Sequence, residues 1–264
     1  MHWKGWLPMA NNRWVLIWVL VFCAGGIVRG EEETKSTSPE KSDMLLLGPG
    51  VVVTTKPYSG MDATVYPIPV ITFVSGQFYI WIDTAGFRLL AEDNMTFDII
   101  GKWRLDGYDA DDSDEFEGMH DRHMTIDLGG EFSFFGDWGK LSTRILNDAL
   151  GQHDGREFRV TYAKAFDMEK LKVTPSVGFA LLSSNLADYY YGVRDDEARP
   201  GRPAYKVGNA VNWFTGLNVN YNLDDSWTLL ASITYYWLDS DIRNSPIVDD
   251  SYAISILAGV MFRF

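Results

Sequence analysis

Beyond residue 30 three histidines, His120, His123 and His153, are the side chains best suited to hold a metal or carry a proton. His120 and His123 are three apart, a spacing that sets two imidazoles on one face of a helix. Here they fall where a loop meets a strand, and no thiolate is at hand to complete a metal site. The pair reads as solvated loop histidines. His153 lies in the tight loop Leu150-Gly151-Gln152-His153-Asp154-Gly155, whose glycines supply positive φ angles, and no chemistry is assigned to it. A second group is acidic: Asp109, Asp111, Asp112, Asp114, Glu115 and Glu117. Calcium or magnesium binding near lipopolysaccharide is one use for it. An EF-hand needs glycine at its sixth position and glutamate at its twelfth, and neither arrangement is present. The segment reads instead as a solvated charged loop. The third group sets Asp98, Asp127 and Glu131 among Lys102, Arg104, Arg144, Arg159 and Lys172. Paired carboxylates can do acid and base work. With both signs interspersed, ion pairing of side chains shut away from water is the better account. The sequence holds no Gly-x-Ser-x-Gly elbow and no phosphate-cradling glycine loop. No catalytic, cofactor-binding or metal residue is assigned, and no enzyme is expected.

The elements that would position these groups follow from the composition. The chain has 264 residues and a net charge of −13. Residues 1–30 contain Lys4, Arg13 and Arg29 but no acid, so a chain without them carries −16. That balance argues against nucleic acid as a partner. Aromatic residues make up 14%, with 10 Trp and 13 Tyr, which suits rings placed at two bilayer interfaces. The one cysteine, Cys23, lies in an apolar run from Trp14 to Cys23 that continues through Val28. Such a run is short for a spanning helix, which needs roughly 20 residues. A basic start, a short apolar core and small residues after it predict a cleavable signal over 1–30. Residues 31–43, rich in Glu, Lys, Ser and Thr, predict a flexible periplasmic leader.

From residue 44 onward the pattern is period two. Val211, Trp213, Thr215, Leu217, Val219 and Tyr221 alternate with Asn212, Phe214, Gly216, Asn218 and Asn220. Tyr252, Ile254, Ile256, Ala258, Val260, Phe262 and Phe264 alternate with Ser255, Gly259 and Arg263. The same alternation sets Phe97 and Ile99 against Asp98 and Lys102, and Ile126 and Leu128 against Asp127 and Glu131. Strands this long, one face apolar and the other polar, predict a transmembrane barrel. The fold class is therefore all-β: one antiparallel up-and-down barrel over 44–264. Eight strands are read near 94–105, 122–134, 138–149, 155–167, 170–182, 209–222, 226–238 and 250–264. Segments 44–56, 64–74 and 77–91 supply the rest. An even number is expected. Twelve strands result if 77–91 breaks at Asp83-Thr84-Ala85-Gly86. Ten result if one segment is no barrel strand, and Pro67 and Pro69 make 64–74 the suspect. Loops 106–121, 183–207 and 239–249 should face outward.

Several motifs then resemble a known family. They are Gly50-Val51-Val52-Val53 with Pro57-Tyr58-Ser59-Gly60, Val65-Tyr66-Pro67-Ile68-Pro69-Val70-Ile71, Val173-Thr174-Pro175-Ser176-Val177-Gly178, Tyr189-Tyr190-Tyr191-Gly192-Val193 and Asn244-Ser245-Pro246-Ile247-Val248. In this order, from about 45 to 264, they resemble the MipA/OmpV family, MltA-interacting scaffolding proteins of the outer membrane. The resemblance implies a non-enzymatic adaptor between a lytic transglycosylase and a penicillin-binding protein, held in outer-membrane lipid and lipopolysaccharide. A narrow channel is the alternative, and an adhesin using the outer loops a further one. Carbohydrate stacking on Tyr189 to Tyr191 would suit the adhesin.

Overall fold

The computed structural model describes residues 43–61 and 63–264. The expected signal and all but the last residue of the expected leader lie outside the described residues. The strands are β1 (Met44–Thr54), β2 (Thr64–Ser75), β3 (Phe78–Trp81), β4 (Thr84–Glu92), β5 (Met95–Arg104) and β6 (Thr125–Gly136). They continue as β7 (Gly139–Asp148), β8 (Arg156–Ala163, resumed as Phe166–Met168), β9 (Leu171–Leu182), β10 (Ala210–Asn222), β11 (Trp227–Trp237) and β12 (Tyr252–Arg263). The two pieces of β8 keep one register against β9, so they are one interrupted strand. Each strand pairs antiparallel with the next, and β12 pairs with β1, with Gly50 opposite Gly259. The result is a closed barrel of twelve strands.

Alternation explains why these residues build a wall. On β5, Phe97 and Ile99 point outward and are exposed, while Thr96, Asp98, Ile100, Lys102 and Arg104 are buried inside. On β10, Trp213 and Leu217 are exposed while Asn212, Phe214 and Asn218 are buried. An outer band of Phe, Ile, Leu and Trp is favourable when hydrocarbon is the solvent, and closure leaves few backbone groups unpaired there. Trp213 and Trp237 pair across β10 and β11 near the long-loop end, while Trp227 and Tyr221 stand at the opposite end. These are the two interfacial belts the composition suggested.

Segment 64–75 is a barrel strand despite its prolines, so the suspicion against it falls. The carbonyl of Ile71 accepts from the N–H of Ile82 beyond Trp81, so the odd positions of β2 direct their backbone groups toward β3. Pro67 and Pro69 are odd. β3 reaches only Thr72 to Ser75, so the prolines lie where no ladder bond is asked of them. The break in 77–91 falls at Ile82-Asp83, overlapping the expected site at Asp83 and starting one residue before it, with Ile82 at φ 47°. Thr84 to Gly86 belong to β4. Gly86 is needed because a Cβ there would strike the ring of Tyr79.

The long connections gather at one end. Loops 55–61, 105–124, 183–209 and 238–251 fold inward as a dome around Tyr58, Phe116, Leu186, Tyr190, Ile242 and Ile247. A helix, α1 (Ser184–Tyr191), and a helical turn, α2 (Ser240–Arg243), stiffen it.

Candidate functional site: a charged lumen beneath a loop dome

The lumen brings together the charges that alternation placed there. The Arg104 guanidinium donates to Asp127 at 2.7 Å, to Glu157 at 2.8 Å and to Asp106 at 3.1 Å. Arg159 donates to the other oxygen of Glu157 at 2.8 Å. Lys102 donates to Asp83 at 2.9 Å. Nearer the opposite end, Asp98 accepts from Arg88 and from the Tyr79 hydroxyl, each at 2.9 Å. Arg144 donates to Glu131 at 2.8 Å, and Lys172 lies 3.2 Å from Asp167. Buried charges are tolerable when every oxygen and N–H is met. Glu157 and Arg88 were not singled out in the sequence, and Asp83 was named there only as a break between strands. The alternation could have found Glu157, because it shares a face with Arg159 two residues on.

His153, in the tight loop that was assigned no chemistry, is buried. The cause is Asp148 at the end of β7, whose carboxylate accepts backbone N–H groups from Leu150, Gly151, His153 and Asp154. That capture curls the loop and turns the imidazole inward, where Nε2 lies 3.2 Å from Asp127. Nδ1 accepts from the Gly155 N–H at 2.9 Å, so the proton sits on Nε2. Asp127, Asp148 and His153 are close enough to ligate one ion. Their ligand atoms, however, already serve Arg104, the loop backbone and each other. The trio is a clamp joining loop 149–155 to the lumen.

The other sequence candidates sit in the dome. His120 is exposed beside Asp196 at 2.8 Å, and His123 is exposed. The acidic stretch forms two 3-10 turns, Ala110–Asp112 and Asp114–Phe116. Arg202 donates to the carbonyls of Glu115 and Glu117, and Lys56 stands 3.7 Å from Asp112. The strongest dome contact was missed by the sequence reading: Arg122 donates to both oxygens of Glu197 at 2.8 and 2.9 Å with both side chains shut off from solvent. Burial pushes the Glu197 carboxyl up. The N–H groups of Arg194 and His120 and the Arg122 guanidinium outweigh it and hold the group below its usual range. Tyr190 is buried under the dome, and Tyr189 and Tyr191 are half-buried against it, so the run packs the dome core. The Tyr108 hydroxyl is buried with no hydrogen-bond partner among the described residues. Between dome and charged lumen lies a cavity of about 430 Å³, lined among others by Tyr66, Arg104, Leu105, Tyr108, Arg159 and Ala253.

A closed twelve-stranded barrel with an apolar outer band, two aromatic belts and a polar filled interior is an integral outer-membrane β-barrel. The family model described as "MltA-interacting protein MipA" matches residues 47–264, and the chain belongs to that MipA/OmpV family. It is 29% identical over 221 residues to the "MltA-interacting protein" of Escherichia coli (strain K12), covering 83% of this chain and 89% of the relative. It is 32% identical over 157 residues to "Outer membrane protein OmpV" of Vibrio cholerae, covering 60% of this chain and 61% of the relative. Among solved structures, the translocator domain of the autotransporter NalP from Neisseria meningitidis aligns over 86% of this chain and 90% of its own, with 12% identity and a TM-score of 0.47.

Proposed function

We propose that this outer-membrane barrel is a non-enzymatic scaffold that joins a murein hydrolase, a lytic transglycosylase, to a murein synthase, a penicillin-binding protein, during cell-wall growth. The observation that carries the reading is the similarity along 89% of a relative named for interaction with MltA. The chemistry of the lumen supports it. Its carboxylates are engaged with cations or backbone, and the His153 ring is held by Asp127 and Gly155, with no nucleophile in its hydrogen bonds. Partners would meet the short-turn end, where Glu92, Asp93, Asp137, Asp224 and Asp225 are exposed. This acidic rim, with the leader 31–43, offers a surface to basic patches on enzymes working in the periplasm. Residues 1–30 would direct export and be removed. The band of β1 to β12 would lie in outer-membrane lipid with lipopolysaccharide around the dome.

An affinity capture tests the scaffold. Protein refolded in detergent is immobilised and exposed to solubilised envelope proteins, and retained proteins are identified by mass spectrometry. Specific retention of a lytic transglycosylase and a penicillin-binding protein, reduced when Asp93, Asp137, Asp224 and Asp225 are changed to Lys, is expected. Retention of neither by demonstrably folded barrel overturns the scaffold role.

A further inference from the structure

The wall of the barrel is incomplete at one place. β2 runs twelve residues, but β3 pairs only with Thr72 to Ser75, and the hairpin turns back at Ile82-Asp83. Among the described residues, Thr64 to Val70 have a ladder partner on the β1 side alone. Seven residues of strand edge amount to about 20 Å. β4 starts level with Lys102 of β5, and β5 ends two residues later. A notch therefore separates the outer half of β2 from the end of β5.

An open edge is costly in hydrocarbon, because each unmet N–H or C=O is paid for in full. Pro67 and Pro69 remove two of the N–H groups that would point into the notch. Proline also blocks the addition of a foreign strand. The edge is thus fitted to stay open toward lipid. Val65, Pro67 and Pro69 face outward, while Tyr66, Ile68 and Val70 face the lumen.

Behind the notch lies the 430 Å³ cavity, and Tyr66 and Leu105, one from each side of the notch, are among its lining residues. The dome residues pack over the outer mouth, on the far side of the cavity from the charged lumen. The cavity combines apolar lining from Leu105, Ala180, Leu182 and Ile254 with the cations Lys56, Lys102, Arg104, Arg122 and Arg159, one more than the four acids Asp106, Asp109, Asp112 and Glu157 that also line it. Tyr108 also lines it and carries the buried hydroxyl that lacks a partner. A buried O–H left unmet costs free energy that a ligand oxygen would restore. We propose that the notch is a lateral window through which a single-chain amphiphile with an anionic head, a carboxylate or a phosphate, passes from the outer leaflet into the cavity, its head meeting Tyr108 and the arginine side. The volume falls within the range of small-molecule sites, roughly 300–1,000 Å³.

The test uses the full chain in phospholipid vesicles, with Cys23→Ser and a single new thiol, Ala253→Cys, in the cavity lining. N-dodecylmaleimide is delivered within the bilayer, and a sulfonated thiol reagent is delivered from water. Ser133→Cys, a buried position outside the cavity lining, is the control. The lipid-borne reagent is expected to modify Ala253→Cys at least tenfold faster than Ser133→Cys. Dodecanoate or dodecyl phosphate should slow that reaction, and which of the two protects better identifies the head group. Dodecyltrimethylammonium should not protect. Tyr108→Phe should weaken protection several-fold while leaving the urea midpoint unchanged, because the lost hydroxyl bonds to nothing among the described residues. Equal rates at the two thiols, or modification of Ala253→Cys from water alone, would overturn the window. Equal protection by the ammonium amphiphile, or no effect of Tyr108→Phe, would overturn the anionic head.

Discussion

The β10–β11 hairpin and the β2–β4 segment do the same job by opposite means. β10 and β11 are 13 and 11 residues long, are laddered on both sides, and join through a short turn. β2 is as long, but the hairpin after it has strands of 4 and 9 residues, and its turn stays below the rim. In the first region every backbone group is met by a neighbour. In the second the sequence lowers the cost of an unmet edge by removing donors. The comparison teaches that a barrel strand is defined by which of its two edges is in use as much as by its alternation.

The largest expected effect breaks the regular region. Ile233 lies opposite Leu217 on one side and Ile256 on the other. Ile233→Pro removes an N–H that has a partner and forces a fixed φ into a doubly paired strand, a cost of about 3 kcal/mol or more. The variant should fail to give the compact, heat-modifiable band of a folded barrel on gels run without boiling. A normal band would show that the ladder there is dispensable.

The next effect lies in the lumen spanned by the two regions. Arg104→Met leaves Asp127 and Glu157 buried without their shared cation. Breaking a buried pair by removing one partner costs about 3–5 kcal/mol. The urea midpoint, followed by tryptophan fluorescence, should fall accordingly. Adding Asp127→Asn to Arg104→Met should recover part of the loss, because the carboxylate left with no cation is then gone, whereas Glu157 keeps Arg159. An unchanged midpoint in Arg104→Met would mean that water reaches these acids freely.

A third, smaller effect concerns the dome and acid. Glu197 has its carboxyl held below the ordinary range by backbone N–H groups and Arg122. Its stabilisation is fully present above its unfolded pKa, about 4.3. It is lost as pH falls through the lower folded value. Pepsin should therefore begin to cut loops 105–124 and 183–209 only at the acid end of that window, while the strands resist. Glu197→Gln should flatten this pH dependence. Acid cutting that is identical in the variant would sever the dome from this ion pair.

Much of this was legible in the sequence because lipid imposes a simple rule. Alternation along residues such as Phe97 to Arg104 fixes which side chain faces which solvent, and the lumen ion pairs follow from it. Strand number was legible too, from the break near Asp83. The fate of His153 was not, because a backbone-capturing carboxylate such as Asp148 leaves no periodic trace. Nor was the Arg122–Glu197 pair, whose members are 75 residues apart in irregular loops. Pro67 and Pro69 misled for a physical reason. A proline in a strand is normally read against both edges, and the sequence does not say that one edge is idle.

The smallest expected effect is the one that sharpens the comparison most. Val65 shares parity with Pro67 and Pro69, so its N–H points to the idle edge of β2. Val65→Pro should remove no ladder bond. Its costs are a narrower φ and the loss of some apolar surface at an outward-facing side chain. It should also shrink the freedom of the unfolded chain, an opposing gain of about 0.4–1 kcal/mol where the native φ is compatible. The net change in the urea midpoint should be close to zero, against the loss of folding expected for Ile233→Pro on the same gels. If Val65→Pro fails to fold as Ile233→Pro does, the outer edge of β2 is paired in the membrane. The window between β2 and β5 would then be closed by another chain or by a segment of this one.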